Sequence, residues 1–388
     1  MFHTSIIELS ERALRTNLEF LRDRIGPKTI FSSVVKGNAY GHGINNFIPK
    51  AQECGVDHFS VFSAGEALAV LEARTEPCEI MIMGYIDEAE LEWAVENEIA
   101  FYVFDLERLH ATNRAAAHVG KKAKVHLELE TGMNRTGLPE DQLSDVADLI
   151  LNNGNTISVD GVCTHFAGAE STANYWRIQK QLKNYRRMTG KLKRLGIKTF
   201  AKHIASSAAT FAYPKTIQDM VRVGIAQYGY WPSQETLMHY FLESGIEDVE
   251  DYVDPLKRVI RWKSRVMSVK TVKPGEYIGY GISFLTTRST HIATIPIGYW
   301  HGFARSLSNL GSVLVRGQRV PVIGTVNMNM ILVDTTDIGQ VQTGDEVVII
   351  GKQGEQEISL GTFSDLGQYL NYEVLVRLPA EIPRTWVA

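Results

Sequence analysis

Lys36 stands at the end of a short apolar run, Ile30–Val35, while His165 directly follows Ser158–Thr164 and His203 closes Phe200–His203. Arg135 comes after a further run, Lys124–Leu129, and Arg222 lies inside Met220–Val223. An amine, two imidazoles and two permanent positive charges at corresponding ends of successive runs could move protons beside an anion. A lysine in an apolar strand end is desolvated, which lowers its pKa and leaves part of it neutral and nucleophilic near pH 7. Ser206 and Ser207 open a short helix-like run after His203, and Gly224 follows the last apolar run. Hydroxyls and backbone N–H groups at a helix start would hold a phosphate without lysine or arginine. A nucleophilic lysine beside such a cup points to pyridoxal phosphate (PLP), an electron sink that acidifies the α-proton of a bound amino acid. Each residue alone has an ordinary reading: a solvated lysine, an N-cap serine, a core histidine. Their joint placement carries the inference.

The elements that must position these residues follow from periodicity. With His58–Val61, Ile80–Met83 and Phe101–Val103, the apolar runs number eight within about 225 residues, separated by helix-like stretches such as Gly65–Ala73, Glu88–Glu98 and Thr172–Leu195. That repeat fits a (β/α)8 TIM-type barrel, whose chemistry sits at the C-terminal strand ends; an open, doubly wound sheet is the alternative. Residues Trp231–Pro255, with Pro232, Pro255 and the acidic Glu247, Asp248, Glu250, Asp251 and Asp254, read as a surface connection. From Arg258 onward, β-rich stretches with Pro-Gly, Arg-Gly and Thr-Gly turns predict an antiparallel β domain. The expected fold class is therefore α/β plus β, with a barrel over residues 1–245 and a β domain over 256–388.

Composition narrows the function further. The chain has 388 residues, 44% of them hydrophobic, and a formal charge of −4, which argues against nucleic-acid or anionic-membrane partners. The basic stretch Arg177–Arg194 reads as a solvated helix face. No signal-peptide pattern opens the sequence, no apolar run approaches the roughly 20 residues that span a bilayer, and the three cysteines lack metal or disulfide spacing. A cytoplasmic protein without a metal site is the expectation.

Several blocks together resemble the alanine racemases. Val34-Val-Lys-Gly-Asn-Ala-Tyr-Gly-His-Gly43 is similar to that family's PLP-lysine signature. Glu130–Arg135, Thr164–Phe166, Val221–Ala226, Gly279-Tyr-Gly281, Ile295–Tyr299 and Asn371-Tyr-Glu373 follow in the expected order. The resemblance implies that Lys36 holds PLP covalently and acts as the base on one face of the substrate. Tyr280, supplied across a homodimer interface, would act on the other. A phenol near pKa 10 needs help at neutral pH; the resemblance assigns it to His165, itself in contact with Arg222. Arg222 would also face the pyridine nitrogen and keep it unprotonated, which favours returning a proton over other PLP chemistry. Phosphate contacts would come from Tyr40, Ser207, Gly224, Ile225 and Tyr372, with His203 also at the cofactor. Arg135 would meet the cofactor's phenolic oxygen and the substrate carboxylate, with the partner's Met328 N–H and Tyr299 also at the substrate. D-alanine for peptidoglycan would be the product.

The sequence departs from the family pattern in places. Glu128 stands where many members carry a carbamylated lysine, and a direct or one-water contact from Glu128 to Arg135 is expected. On the access side, Tyr299-Trp-His-Gly-Phe303 and Gly324-Thr-Val-Asn-Met-Asn329 replace an arginine and two aspartates of the usual pattern with neutral groups. Ser206 replaces the more usual Asn, and Trp231–Pro255 is long for the family. Alanine specificity depends on excluding bulk beyond Cβ, so racemisation of serine, lysine or a broad range stays open. A PLP-binding protein without turnover is a further alternative, against which the β domain bearing Tyr280 counts. A PLP decarboxylase of the same fold would need a glycine-rich phosphate loop and a Cys–Asp site that have no counterpart here.

Overall fold

A computed structural model describes residues 3–388 apart from 247, 249, 251, 368 and 369; Glu247 and Asp251 of the acidic run lie outside the described residues. The chain divides into two compact units, one of Ala13–Lys36 and Phe47–Lys257, the other of Met1–Arg12, Gly37–Asn46 and Arg258–Ala388.

The second unit begins with strand β1 (Ser5–Ser10), and the barrel strands come next in the chain. They are β2 (Ile30–Val34), β3 (His58–Val61), β4 (Glu79–Ile82), β5 (Ala100–Val103), β6 (Ala123–Glu128), β7 (Ile157–Cys163), β8 (Ala201–His203) and β9 (Met220–Val223). Every boundary falls within one residue of the apolar run that predicted it. Burial on both faces explains why these runs are so legible: β3, β5 and β9 are buried along their whole length. All neighbours are parallel, and the order runs from β2 to β8 in sequence with β9 returning beside β2. The Arg222 N–H donates to the Ala205 carbonyl at 3.1 Å and Asp219 N–H to Lys202 at 3.1 Å, closing β9 against the β8 end. The sheet is therefore a (β/α)8 barrel, and the open-sheet alternative is excluded.

Helices between the strands carry explicit start signals. Ser63 caps Ala64–Ala73, and Asp87 with Glu90 forms a capping box for Glu88–Glu96. Helix Tyr175–Arg194 buries Ile178, Tyr185, Met188 and Leu192, and exposes Arg177, Lys180, Lys183, Arg186 and Arg187 to solvent, as the periodicity predicts. Two polar residues, Gln181 and Thr189, are buried in that stripe, Gln181 completely. The Trp231–Pro255 stretch is more than a connection. It holds helix Gln234–Ser244, opened by a Ser233–Thr236 capping box and ended at Gly245 in the left-handed conformation. None of the helices among the described residues is long and apolar enough to cross a membrane.

In the other unit, β1 pairs antiparallel with β10 (Ile260–Arg265) and parallel with the last strand, Arg384–Val387. The remaining strands are β11 (Ser268–Val272), β12 (Thr290–Ile295), β13 (Ser312–Val315), β14 (Gln318–Pro321), β15 (Ile331–Asp334), β16 (Glu346–Gln353) and β17 (Gln356–Ile358), which makes Arg384–Val387 β18. They form a seven-stranded sheet, β14-β13-β16-β10-β1-β18 with β17 on β16, and a three-stranded sheet β11-β12-β15. All pairings but β1–β18 are antiparallel. Arg316 and Gly317, both at positive φ, make the two-residue turn between β13 and β14 that the Arg-Gly pair predicts.

Candidate active site

Met81, Ala100, Tyr102, Cys163 and Met220 form an apolar cluster. Ser32 and Ser60 meet at 2.5 Å, and Arg222, His203 and His126 form a continuous buried chain. Nη1 of Arg222 donates to Nδ1 of His203 at 2.6 Å and to its carbonyl at 2.7 Å, while Nη2 donates to the Thr164 carbonyl at 3.0 Å. A guanidinium can only donate, so His203 Nδ1 carries no proton and its Nε2 does. That proton is donated to His126 Nδ1 at 2.8 Å, which fixes His126 in its Nε2–H tautomer. Burial and then the Arg222 charge hold His203 well below its ordinary pKa; burial likewise brings His126 to about 3. Gly161 makes room for the chain, because a Cβ there would lie 2.1 Å from His126 Nδ1. The buried charge of Arg222 is thus fully hydrogen-bonded on one side. Two of its five N–H groups have no partner among the described residues.

At the C-terminal ends of the strands, Lys36 opens to solvent yet is crowded by protein. That crowding, followed by the charge of Arg135, lowers its pKa; Glu66 opposes them, and Arg222 adds to the lowering. His165 is held down to about 3 by burial, Arg222, Arg135 and Lys36, in that order, so it is neutral at physiological pH. The charges of Arg135 and Arg222 therefore act on both the amine and the imidazole. The hydrogen bonds of Arg222, however, go to His203 and Thr164, not to the His165 ring.

Glu128 differs from expectation. Its carboxylate accepts a hydrogen bond from Thr136 Oγ1 at 2.8 Å, and no ion pair joins it to Arg135 among the described residues. Burial pushes its pKa up, against the Thr136 hydrogen bond and the Arg135 charge. The threonine next to Arg135 in sequence takes the contact instead.

The residues expected at a phosphate fall in both units. Ser207 Oγ accepts from the Gly224 N–H at 2.9 Å, so that amide is engaged within the protein while the serine hydroxyl proton stays available. Ile225 opens the 3-10 turn that follows. In the other unit, the Tyr40 and Tyr372 rings stand 5.9 Å apart. Tyr40 belongs to a left-handed turn: Gly37, Asn38, Ala39 and Tyr40 have φ of 62°, 54°, 53° and 50°. For an L-residue this backbone costs roughly 1–2 kcal/mol, and such strain concentrates at functional sites. The turn is held by Gly41 N–H to Gly37 at 3.0 Å, Gly43 N–H to Asn38 at 2.9 Å, and the buried His42 ring against the Ala39 and Tyr40 carbonyls. Arg384 donates to the Gly41 carbonyl from Nε and Nη2, and to the carbonyls of Leu378, Pro379, Ala380 and Ile382.

Tyr280 lies at an exposed loop tip, 74% accessible, between Gly279 and Gly281 at positive φ. The two access-side segments are bonded to each other: Tyr299 N–H to Asn327 at 3.0 Å and Trp300 N–H to Met328 at 3.0 Å. A Cβ on Gly298 would lie 2.1 Å from the Asn327 carbonyl, so that contact needs glycine. The substitutions at Trp300 and at Thr325–Asn329 therefore belong to one surface. The Met328 N–H has no hydrogen-bond partner among the described residues.

Sequence reasoning missed His126, Thr136 and Arg384. His126 was findable, since it lies two residues before Glu128 on the same strand face; the other two carry no local signal. A nucleophilic amine of lowered pKa, the unused N–H groups of Arg222 and the Ser207 hydroxyl in one barrel suit a phosphate-bearing carbonyl cofactor.

Comparison with known proteins agrees with this geometry. The family model described as alanine racemase, N-terminal domain, matches residues 9–232, and that for the C-terminal domain matches 259–386. The alanine racemase of Leptospira interrogans is 33% identical over 98% of this chain and 95% of its own. The alanine racemase structure from D-cycloserine-producing Streptomyces lavendulae superposes with a TM-score of 0.90 at 29% identity, covering 100% of this chain and 98% of that one. The Bartonella henselae alanine racemase, with covalently bound pyridoxal phosphate, gives a TM-score of 0.85 at 26% identity, with 100% of both chains covered. The chain belongs to the alanine racemase family, and its relatives are isomerases.

Proposed function

We propose that this protein interconverts L- and D-alanine with PLP held by Lys36, by a two-base mechanism completed in a homodimer. The observation that carries the proposal is the strand-end cluster in which Lys36, lowered in pKa, and His165, held neutral, both feel Arg135 and Arg222. When bound, PLP supplies the electron sink that makes the α-hydrogen of an amino acid acidic. Lys36 acts on one face of that carbon, and its lowered pKa keeps a neutral amine available for the proton. The partner subunit's Tyr280 acts on the other face, with neutral His165 as its hydrogen-bond partner. Arg222 would offer its unused N–H groups to the ring nitrogen of bound PLP and, always charged, would keep a proton off it. Arg135 binds the substrate carboxylate, helped by the partner subunit's Met328 N–H, and Tyr299 lines the approach. Ser207 and Ile225 serve the phosphate from the barrel, and His203 holds Arg222 in place.

Dimerisation is supported by the exposed apolar residues around Tyr280: Ile282 is 80%, Trp300 61% and Met328 54% accessible. A cytoplasmic supply of D-alanine for peptidoglycan is the proposed role. Racemisation of serine or lysine is the second reading, favoured by the neutral, Trp300-bearing access surface. The test is to incubate PLP-loaded protein separately with L-alanine, L-serine and L-lysine and quantify each D-enantiomer by chiral chromatography. D-alanine formed fastest supports the first reading, faster D-serine or D-lysine the second; no D-product from protein that binds PLP contradicts both.

A further inference from the structure

Gln181 is fully buried on helix Tyr175–Arg194, in a stripe that is mostly apolar but also holds Thr189. A buried amide is unfavourable there unless its donors and acceptor are all used, and they are. Oε1 accepts from the Ala167 N–H at 2.9 Å, while Nε2 donates to the His165 carbonyl at 2.9 Å and to Thr131 Oγ1 at 3.2 Å. The bonds beyond it have a fixed direction. Thr164 Oγ1 donates to the Leu129 carbonyl at 2.9 Å, so the 2.8 Å contact between Thr131 and Thr164 hydroxyls runs from Thr131 to Thr164. The carbonyl of that same Thr164 receives Arg222. One side chain therefore joins the loop that carries Arg135, the segment that carries His165 and the residue that receives Arg222.

We infer that Gln181 is a positioning residue for racemisation, setting the relative placement of Arg135 and His165 from behind the site. The inference rests on the roles proposed above for those two residues. Docking of the helix does not need the amide, because Tyr185 anchors it to β7 with a 2.7 Å hydrogen bond to the Val162 carbonyl. Besides Gln181, the Arg135 loop is tied by the Thr131 hydroxyl on Thr164, by the Thr136 hydroxyl on Glu128, and through its backbone. Glu130 accepts from Gly132 and Asn134 N–H, Asn184 donates to the Thr131 carbonyl at 2.8 Å, and Arg177 to the Gly132 carbonyl at 3.1 Å. The Thr131–Thr164 hydroxyl contact also reaches the His165 segment, and the Gln181 side chain adds a bond to the backbone of His165 itself.

The test uses PLP-loaded Gln181→Leu and Thr131→Val proteins, with kcat and KM for alanine referred to bound cofactor. Hydrogen exchange is followed in peptides covering residues 130–136, 164–168 and, as a control, 106–119. Gln181→Leu frees both segments, so kcat falls and KM rises, each by about tenfold, and exchange quickens in both site peptides but not in the control. Thr131→Val keeps the bonds from Gln181 to His165 and Ala167, so KM rises several-fold while kcat holds. A Gln181→Leu protein with wild-type kcat and KM overturns the inference. If that variant does not fold, an unchanged KM in Thr131→Val overturns it. A wild-type protein that forms no D-alanine refutes the proposed function instead, and the exchange pattern alone then decides whether Gln181 couples the two segments.

Discussion

Arg222 donates a 2.6 Å hydrogen bond to Nδ1 of His203, and this contact sets the proton positions of everything behind it in the barrel. The chain Arg222–His203–His126 has only one arrangement of protons compatible with a charged guanidinium. It therefore works as a rigid support for the residue proposed to face the cofactor ring.

The support is sensitive to volume. Substituting Gly161→Ala places a methyl group 2.1 Å from His126 Nδ1 and 2.9 Å from His203 Nε2. The imidazoles must separate, and overpacking of this kind costs about 1–3 kcal/mol. Urea unfolding should show a loss of that size, and alanine turnover per bound cofactor should fall with it. A variant as stable and active as the parent would mean that the imidazole contact is dispensable.

Acid stability follows from the same burial. His42 and His58 are held down to about 4 and His126 and His165 to about 3, all chiefly by burial, and His203 lies well below its ordinary value of 6.5. Each is neutral when folded and takes up a proton on unfolding whenever pH lies between its two pKa values. Their contribution to stability is complete above about pH 6.5 and is lost as pH falls toward 4 and 3. Glu128, raised by burial, works in the opposite sense, one group against several. Unfolding free energy measured from pH 7 to pH 4 should drop with a slope approaching about four protons per molecule. A flat profile would contradict the buried, neutral assignment.

Glu128 needs no carbon dioxide to carry a carboxylate, and Thr136 is the group that holds it. Removing CO2 and bicarbonate from the buffer should leave KM for alanine unchanged. Thr136→Val removes one hydrogen bond beside the Arg135 loop and should raise KM about fivefold, the equivalent of about 1 kcal/mol. A bicarbonate-dependent KM, or no effect of Thr136→Val, would refute this role.

Much of the scaffold was legible because barrel strands such as β3, β5 and β9 are buried on both faces and so read as continuous apolar runs. The strand-end positions of Lys36, His165, His203 and Arg222 followed from the same runs. What escaped depends on contacts far apart in sequence. Asn38, Ala39 and Tyr40 adopt left-handed backbone without glycine because Arg384 and His42 hold the turn, and no local rule foresees that. Helix Gln234–Ser244 was hidden by its flanking prolines and acidic run, although its Ser233 cap and Gly245 stop are ordinary signals. The choice of His203 over His165 as partner of Arg222, and of Thr136 over Arg135 as partner of Glu128, is a matter of side-chain reach that spacing does not encode.

The central claim is that two bases, Lys36 and Tyr280, work on opposite faces of one carbon. Its most direct test is a PLP-loaded Tyr280→Phe protein in deuterated water, with L-alanine and D-alanine as separate substrates and α-hydrogen exchange and enantiomer interconversion both followed. The two-base account predicts that interconversion collapses while PLP stays bound, and that exchange survives for one enantiomer, through Lys36, but is lost for the other. Interconversion at the parent rate, or equal exchange into both enantiomers, would contradict it.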